Sequence, residues 1–237
     1  MNGGAGVVRP ATQTPLYYIA CNCGHSPSEY HSDRAEGLPP QPAAATSTTA
    51  EIETMQTFPV HTIESAPSQS KPSLEALQGA FGMLPNITGA MSTSPVLIAS
   101  LVGLFQKVHG GSFSEDQIQV LLLTNAVTNA STWAVAFHSF LALKEGIDPA
   151  EVKAIRERQL PRNPKYAALS MLARTLIEKR GRLDQTDVSR FLQAGFDQSR
   201  LLEVIGVVAA STITNYTGSV TQPPLEAAFQ AHAWSAA

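Results

Sequence analysis

Helix-start signals recur along the second part of the chain, and they constrain its fold more than any other feature. Asp148-Pro149 and Asn163-Pro164 each combine an N-cap residue with a proline at the first helical position. Proline is tolerated there because that N–H has no partner within the helix. Strand-like alternation of polar and apolar residues is absent from the sequence of residues 73–237, so these signals predict an all-α domain.

About eight helices are expected. The stretch 95–108 is apolar on nearly every face, which is typical of a buried helix, and Gly110 ends it. Ser114 and Gln117 have the spacing of a capping box that opens the next helix. The predicted helices span 95–108, 114–127, 130–145, a segment from 149, 164–180, 185–194, 198–216 and 224–233.

Two corners between helices are similar in sequence. Residues 146–148 and 195–197 each read as glycine, an apolar residue and aspartate. This order suits a left-handed helix exit, an apolar plug and an N-cap for the next helix. Two interpretations stay open: two independent helix corners, or a duplicated helical unit.

The charge balance excludes several classes of partner. The chain has a formal net charge of −3, with 15% charged and 43% apolar residues. Nucleic acid and anionic membranes are bound through a basic footprint, which this composition lacks. No run approaches the roughly 18 apolar residues of a membrane span. We therefore expect no nucleic-acid partner and no membrane partner, and we expect a cytoplasmic protein.

The first 72 residues differ in composition from the rest. They hold 9 of the 16 prolines, and 3 basic and 6 acidic residues, whereas residues 73–237 hold 13 of each charge. Such a segment buries too little apolar surface to offset the entropy cost of ordering it. We predict a disordered or loosely attached tail at 1–72 and a helical domain at 73–237. Met55 is an alternative start of the chain.

Both cysteines lie in this tail. Cys21 and Cys23, with His25 and His31 nearby, suggest a zinc-ligand set, but a structural zinc site needs four ligands in a workable geometry. A flexible linker lets these thiols reach the domain, although nothing in the tail would hold them there. We predict no metal site and no cofactor.

Several short motifs, taken in order, resemble a known family. Residues 84–86, Ser94-Pro95 and residues 129–138 resemble the opening helices and active-site helix of the alkylhydroperoxidase D-like (carboxymuconolactone decarboxylase) superfamily. The C-terminal part, from Tyr166 onward, resembles its peroxidase-related branch. The resemblance implies an alkylhydroperoxidase D-like helical bundle that assembles as a homo-oligomer. It also implies an antioxidant family with peroxidase (peroxiredoxin-type) or decarboxylase activity and a small-molecule ligand.

The active-site pattern of that family, Cys-x-Tyr-Cys-x-x-x-His, is mostly replaced in this chain. Its two cysteines fall on Ser131 and Ala134. Its histidine is retained as His138, and its glutamate falls on Gln119. Peroxide reduction of this type needs a thiolate, a sulfenic acid and a resolving thiol, which neither serine nor alanine supplies. Gln119 forms hydrogen bonds but cannot take a proton as a carboxylate does. We therefore predict a member without thiol peroxidase activity.

Three functions stay open. The chain is a pseudoenzyme or small-molecule binding protein; or it is a cysteine-independent, decarboxylase-like enzyme with His138 as general acid/base, helped by Ser131 and Gln119; or it is an oligomeric interaction module.

Ser131 and His138 stand two turns apart on one helix, about 10 Å along its axis, too far for a direct hydrogen bond. The neighbours of His138 on its own helix are apolar, so any polar partner must come from another helix or subunit.

Other conspicuous side chains have structural explanations. Ser131, at a helix start, is expected to bond to the backbone. His109 is expected to act as a C-terminal helix cation, and Asn215 and Tyr216 to cap the helix 198–216. Three aromatic residues are expected in the core or a subunit interface: Trp133, Phe137 and Phe140. Three arginines are expected in solvent, with contact to an anionic ligand as the alternative: Arg156, Arg158 and Arg162.

Overall fold

The computed structural model describes residues 58–236, and every regular element in that range is helical. The α-helices are α1 (Lys71–Phe81), α2 (Asn86–Met91), α3 (Pro95–His109), α4 (Glu115–Thr128), α5 (Thr132–Lys144), α6 (Pro149–Arg156), α7 (Pro164–Glu178), α8 (Gln185–Gln193) and α9 (Gln198–Thr221). Short 3₁₀ helices form at Ser68–Ser70 and Ala227–His232. The predicted all-α fold is confirmed. No helix within residues 58–236 has the length and apolarity needed to cross a membrane.

Helix α4 is the centre of the domain. Its residues 118–127 are all buried, and it packs against α5, α7 and α9. The helix starts as predicted, since the Ser114 N–H donates to Gln117 Oε1 at 3.3 Å. Helix α4, which is also contacted by α6, is therefore covered by its neighbours on every face and forms the centre of the main core.

The two similar corners have the same backbone geometry. Gly146 and Gly195 have φ values of 82° and 89°, in the left-handed region that glycine adopts without strain. Asp148 accepts the N–H two residues on at 2.7 Å, and Asp197 accepts the N–H three residues on at 2.8 Å. The predicted glycine exits and aspartate N-caps are confirmed at both corners.

The prediction that the helix at 95–108 is buried is wrong. Within α3 only Ile98 and Leu101 are buried, and Val96 is 78% exposed. One face of α3 packs on α1 and α9. Residues 58–236 do not cover its other face, so an all-round apolar sequence here does not mean all-round burial within one chain.

The domain begins before residue 73. Ala66 and Ser70 are buried, and Ser70 Oγ donates to the Ser92 carbonyl at 2.7 Å. A Cβ added to Gly89 would lie 2.6 Å from the His61 carbonyl oxygen, so the chain passes directly over α2 at that point. Residues from this segment, which we assigned to the tail, therefore pack on the domain, and Pro67 and Pro72 lie at the starts of the first 3₁₀ helix and of α1. The tail prediction for residues 1–57 lies outside the described residues.

The C-terminal part differs from the prediction in two places. Helix α9 continues to Thr221 rather than ending at 216, and Gln222 stops it with a φ of 45°. Asn215 is fully buried inside this helix and Tyr216 is exposed, so the interpretation of both as end caps is wrong. The predicted helix at 224–233 is also wrong, because only the 3₁₀ helix Ala227–His232 forms there.

Candidate functional site

The corner between α4 and α5 carries the residues that the sequence singled out. Ala130 turns the chain with a positive φ of 52°, and Ser131 is the N-cap of α5. Residues 133–139 of α5 are all buried. Because α5 packs along α4, side chains of α5 face those of α4 across this corner.

A cavity of about 500 Å³ lies beside this corner, among α1, α3, α4, α5 and the C-terminal segment. Cavities of this size bind small molecules. Phe137 is central to its wall, with its ring centroid 4.9 Å from Trp133, 5.4 Å from Phe81 and 5.2 Å from Phe229. The aromatic residues of the wall are Phe81, Phe105, Trp133, Phe137, Phe140 and Phe229.

His138 and Gln119 form a hydrogen-bonded pair in the wall of this cavity. His138 Nδ1 lies 3.1 Å from Gln119 Oε1, and the two residues are 3% and 4% exposed. Because the amide oxygen can only accept, Nδ1 carries the proton and Nε2 keeps its lone pair. Within residues 58–236 this is the one hydrogen bond that either side chain makes. The pair therefore presents an acceptor, His138 Nε2, and a donor, the Gln119 amide nitrogen, beside the cavity.

His138 is a neutral imidazole in this environment. Burial, and to a lesser extent the charge of His109, lower the pKa of His138 to about 3. Its hydrogen-bond partner is a neutral amide, which does not favour the imidazolium as a carboxylate would. At neutral pH the side chain is suited to hydrogen bonding and is a weak base.

The two cysteine positions of the active-site pattern do not line the cavity. Ser131 and Ala134 are 2% and 0% exposed and are absent from its wall. Ser131 Oγ has no partner within residues 58–236, so the expected bond to the backbone does not form. This oxygen lies 3.4 Å from the point where a Cβ on Gly218 would stand, against α9. The structure brings Gln119 and His138 together and leaves Ser131 apart from them.

A second polar pair lies one helical turn from the first. Glu115, four residues before Gln119 on α4, is 2.8 Å from Nδ1 of His109, the last residue of α3. The His109 ring stacks on Phe105, with centroids 5.7 Å apart. Both members line the cavity, and their side chains are 34% (His109) and 48% (Glu115) exposed. This pair marks the solvent-facing end of the cavity.

Glu226 fixes the C-terminal segment against the cavity. Its carboxylate accepts from Trp133 Nε1 at 2.9 Å and from the Asn86 N–H at 2.6 Å. Phe229, three residues on, is 1% exposed and forms part of the cavity wall. One carboxylate therefore ties α2, α5 and the C-terminal segment together.

Arg156 is a second attachment point for this segment. Its guanidinium donates to the Ser139 hydroxyl at 2.8 Å and to the carbonyls of His232 and Ala233 at 2.9 and 3.0 Å. The interpretation of this arginine as a solvated residue is wrong. Arg158, two residues on, does lie in solvent and pairs with Glu178 at 3.0 Å.

Metal ligands are not clustered in the part of the chain that the structure describes. Within residues 58–236 no group of three or more His, Cys, Asp and Glu side chains is placed to hold a metal ion. The set formed by Cys21, Cys23, His25 and His31 lies outside the described residues. The chemistry that the structure presents is that of the cavity and its two polar pairs.

Comparisons with known proteins assign the fold. No protein-family model and no curated protein matches the sequence. The alkylhydroperoxidase AhpD core of a peroxidase-related protein from Ralstonia eutropha JMP134 is similar in structure, with a TM-score of 0.64 at 12% identity over 73% of this chain and 93% of that chain. The chain has the alkylhydroperoxidase D-like fold. A peroxidase-related protein from Silicibacter sp. TM1040 is also similar, with a TM-score of 0.61 at 16% identity over 73% of this chain and 91% of that one.

The alkylhydroperoxidase D-like fold is shared with a debrominase as well. A variant of the debrominase Bmp8 in complex with 2,3,4-tribromopyrrole has a TM-score of 0.61 at 18% identity, over 76% of this chain and 96% of that chain. The fold that the resemblance implied is thereby confirmed. Because one fold hosts many functions, the function must be argued from the cavity itself.

Sequence reasoning missed two features of the site. Trp133 and Phe137 belong to the core as expected, with Phe140 packed against it, but it was not anticipated that all three also line the cavity. The pairing of Glu115 with a histidine was not anticipated. The sequence did indicate that Glu115 lies on the same helix face as Gln119, because the two residues are four apart in the predicted helix 114–127.

Proposed function

We propose that this chain binds a small, largely apolar molecule in the cavity and does not reduce hydroperoxides through a thiol pair. The proposal rests on the Gln119–His138 pair in the wall of a cavity of about 500 Å³. His138 Nε2 and the Gln119 amide nitrogen make no hydrogen bond within residues 58–236, and both residues line the cavity. A ligand that bonds to both atoms gains hydrogen bonds worth about 0.5–1.5 kcal/mol each, while its apolar body contacts the aromatic wall.

The lack of thiol chemistry follows from the residues at the family pattern. Ser131 and Ala134 stand where the resemblance places the redox cysteines, and residues 58–237 contain no cysteine. Without a thiolate there is no sulfenic acid step and no disulfide to resolve. A variant of the debrominase Bmp8, which has a similar structure, binds a small brominated ring. That complex supports the proposal that a ligand of this size fits the fold.

A cysteine-independent enzyme is the second candidate. An imidazole held by a hydrogen bond and lining a cavity is the arrangement of a general base with its orienting partner. However, a pKa of about 3 for His138 is far below the range that suits a base at neutral pH. We therefore place binding ahead of acid/base catalysis.

We also propose that copies of the chain assemble through α3 and α9. Val96, Tyr216 and Val220 are 78%, 61% and 61% exposed. The Ser112 N–H, just after α3, donates to Glu203 near the start of α9, so α3 and α9 run antiparallel and these three residues lie at the same end. Exposed apolar patches mark interaction sites, and a second copy fits the assembly that the resemblance implies. The interaction-module hypothesis would use this same surface.

Two assays test the binding proposal. The full chain carrying Cys21→Ser and Cys23→Ser is mixed with hydroperoxide and a dithiol reductant, and we expect consumption at the rate of buffer alone. Turnover by this variant would contradict the exclusion of thiol chemistry. A thermal-shift screen of small ring compounds against the full chain is expected to yield stabilising ligands whose effect is lost in Phe137→Ala but kept in Phe191→Leu, a core change outside the cavity wall. A screen without any stabilising ligand would contradict the binding proposal.

A further inference from the structure

Two polar pairs line the same cavity at a fixed spacing. Glu115 and Gln119 are four residues apart on α4, which separates them by about 6 Å along the helix axis. Gln119 is 4% exposed, whereas the Glu115 side chain is 48% exposed. The cavity therefore has a buried polar end and a solvent-facing polar end.

The buried end suits a neutral hydroxyl group. It presents one acceptor, His138 Nε2, and one donor, the Gln119 amide nitrogen. A hydroxyl both donates and accepts, so it satisfies these two atoms at once. A charged group at this depth would lose its hydration and would meet no opposite charge, because both members of the pair are neutral.

The wall suits an aromatic ring, because Trp133 and Phe137 adjoin the buried pair and Phe105, stacked on His109, adjoins the solvent-facing pair. Phe137 stacks with Trp133 at an interplanar angle of 26° and meets Phe81 and Phe229 edge-on, at 80° and 77°. Aromatic pairs prefer these stacked and edge-to-face arrangements over others. A flat ring that enters beside them extends the same packing, whereas a branched aliphatic chain does not.

The solvent-facing end suits a cation. Two carboxylates line the cavity there, Glu115 and Glu145, together with the ammonium of Lys144 and the His109 imidazole. Glu115 contacts His109 and is partly exposed, so its oxygens can accept a further hydrogen bond. An ammonium group beside Glu115 can donate to that carboxylate, whereas a carboxylate placed there would face a second acceptor of like charge.

We propose that the cavity takes an aromatic molecule with a neutral hydroxyl at one end and a protonated amine at the other, about 6 Å apart. The hydroxyl bonds between His138 Nε2 and the Gln119 amide nitrogen, and the amine bonds to Glu115. This assignment rests on the proposed binding function and names its ligand class.

The test is calorimetric titration of the full chain at pH 7 with four probes that share one ring: 4-(aminomethyl)phenol, 4-cresol, benzylamine and 4-hydroxybenzoate. We expect 4-(aminomethyl)phenol to bind about fivefold more tightly than 4-cresol or benzylamine, since each lacks one polar group and a partly exposed ion pair contributes up to about 1 kcal/mol. The anionic 4-hydroxybenzoate should bind most weakly.

The variant Glu115→Gln should lower the affinity for 4-(aminomethyl)phenol to that for 4-cresol and leave 4-cresol binding unchanged, which also shows that the variant is folded. Glu157→Gln removes the same charge from an exposed carboxylate outside the cavity wall and should change neither affinity. Equal affinities for the amine and 4-cresol, or an unchanged amine affinity in Glu115→Gln, would overturn the ligand class while leaving the binding proposal intact. If none of the four probes binds, the ligand class is also overturned. The binding proposal is contradicted only if the thermal-shift screen of small ring compounds also yields no ligand.

Discussion

Gln119 on α4 accepts a hydrogen bond from His138 on α5 at 3.1 Å, so a neutral amide stands beside the single imidazole of the active-site pattern. In the family that the sequence resembles, a glutamate occupies this position. A carboxylate there stabilises the imidazolium and so raises the pKa of the histidine. Beside a neutral amide that effect is missing, and the lowering of the pKa by burial dominates. The nature of this one partner therefore sets the charge state of His138.

Restoring the carboxylate should change the basicity of His138. The variant Gln119→Glu is expected to raise the pKa of His138 from about 3, because an opposite charge at hydrogen-bond distance stabilises the imidazolium. The measurement is an NMR titration of the imidazole. Gln193→Glu adds the same charge at the exposed end of α8 and should leave that titration unchanged. An equal pKa in both variants would show that residues 119 and 138 are not in contact.

Stability should depend on pH through the same residue. In the unfolded chain His138 takes up a proton near pH 6.5, but in the folded chain only near pH 3, since its pKa is lowered to about 3. Between these pH values the unfolded state therefore binds more protons than the folded state. The contribution of the neutral His138 to the free energy of unfolding is fully present above about pH 6.5 and is lost as the pH falls toward 3. Urea unfolding at pH 7, 6 and 5 should show a slope up to about 1.4 kcal/mol per pH unit steeper than that of His138→Asn, which keeps a donor near Nδ1. Parallel slopes for the two proteins would contradict a depressed pKa.

Arg156 and Arg158 should differ sharply although they are two residues apart. Arg156→Ala removes the hydrogen bonds to Ser139, His232 and Ala233 and is expected to lower the free energy of unfolding by about 1–3 kcal/mol. Amide exchange of residues 227–233 should become faster in this variant. Arg158→Ala breaks one exposed ion pair and should cost less than about 1 kcal/mol. Equal costs would show that Arg156 does not attach the C-terminal segment.

The local parts of the fold could be predicted from the sequence, and the non-local parts could not. Asp148-Pro149 and Asn163-Pro164 define helix starts through contacts with the next few residues, so they were found correctly. The segment after Pro224 is instead positioned by Glu226, which contacts residues more than 90 positions away, and no local signal specifies that.

The same division applies to the site. The resemblance identified both Gln119 and His138, and the apolar neighbours of His138 on its own helix correctly required a partner from another helix. Their pairing depends on how α4 packs on α5, which the sequence does not state. The exposed face of α3 was misjudged because apolar residues look alike whether their own chain or another copy covers them.

The exposed apolar surface of α3 and α9 should mediate self-association. Tyr216→Glu places a charge on this surface and is expected to shift the full chain to smaller assemblies, since an unpaired charge in an apolar interface is strongly unfavourable. Size-exclusion chromatography with light scattering measures the change. Leu160→Glu makes the same kind of change at an exposed residue outside both helices, 42% exposed, and should have no effect. A wild-type chain that is monomeric at all concentrations would contradict this assembly.

The central claim is that a small molecule binds beside the Gln119–His138 pair. Its most direct test is NMR mapping of the full chain during titration with a ligand from the thermal-shift screen. The indole N–H of Trp133, which lines the cavity, and the imidazole of His138 should shift with the same dissociation constant, while the indole of Trp234, bonded to the Arg156 carbonyl outside the cavity wall, stays unchanged. Saturable binding that leaves Trp133 and His138 unshifted would contradict the account.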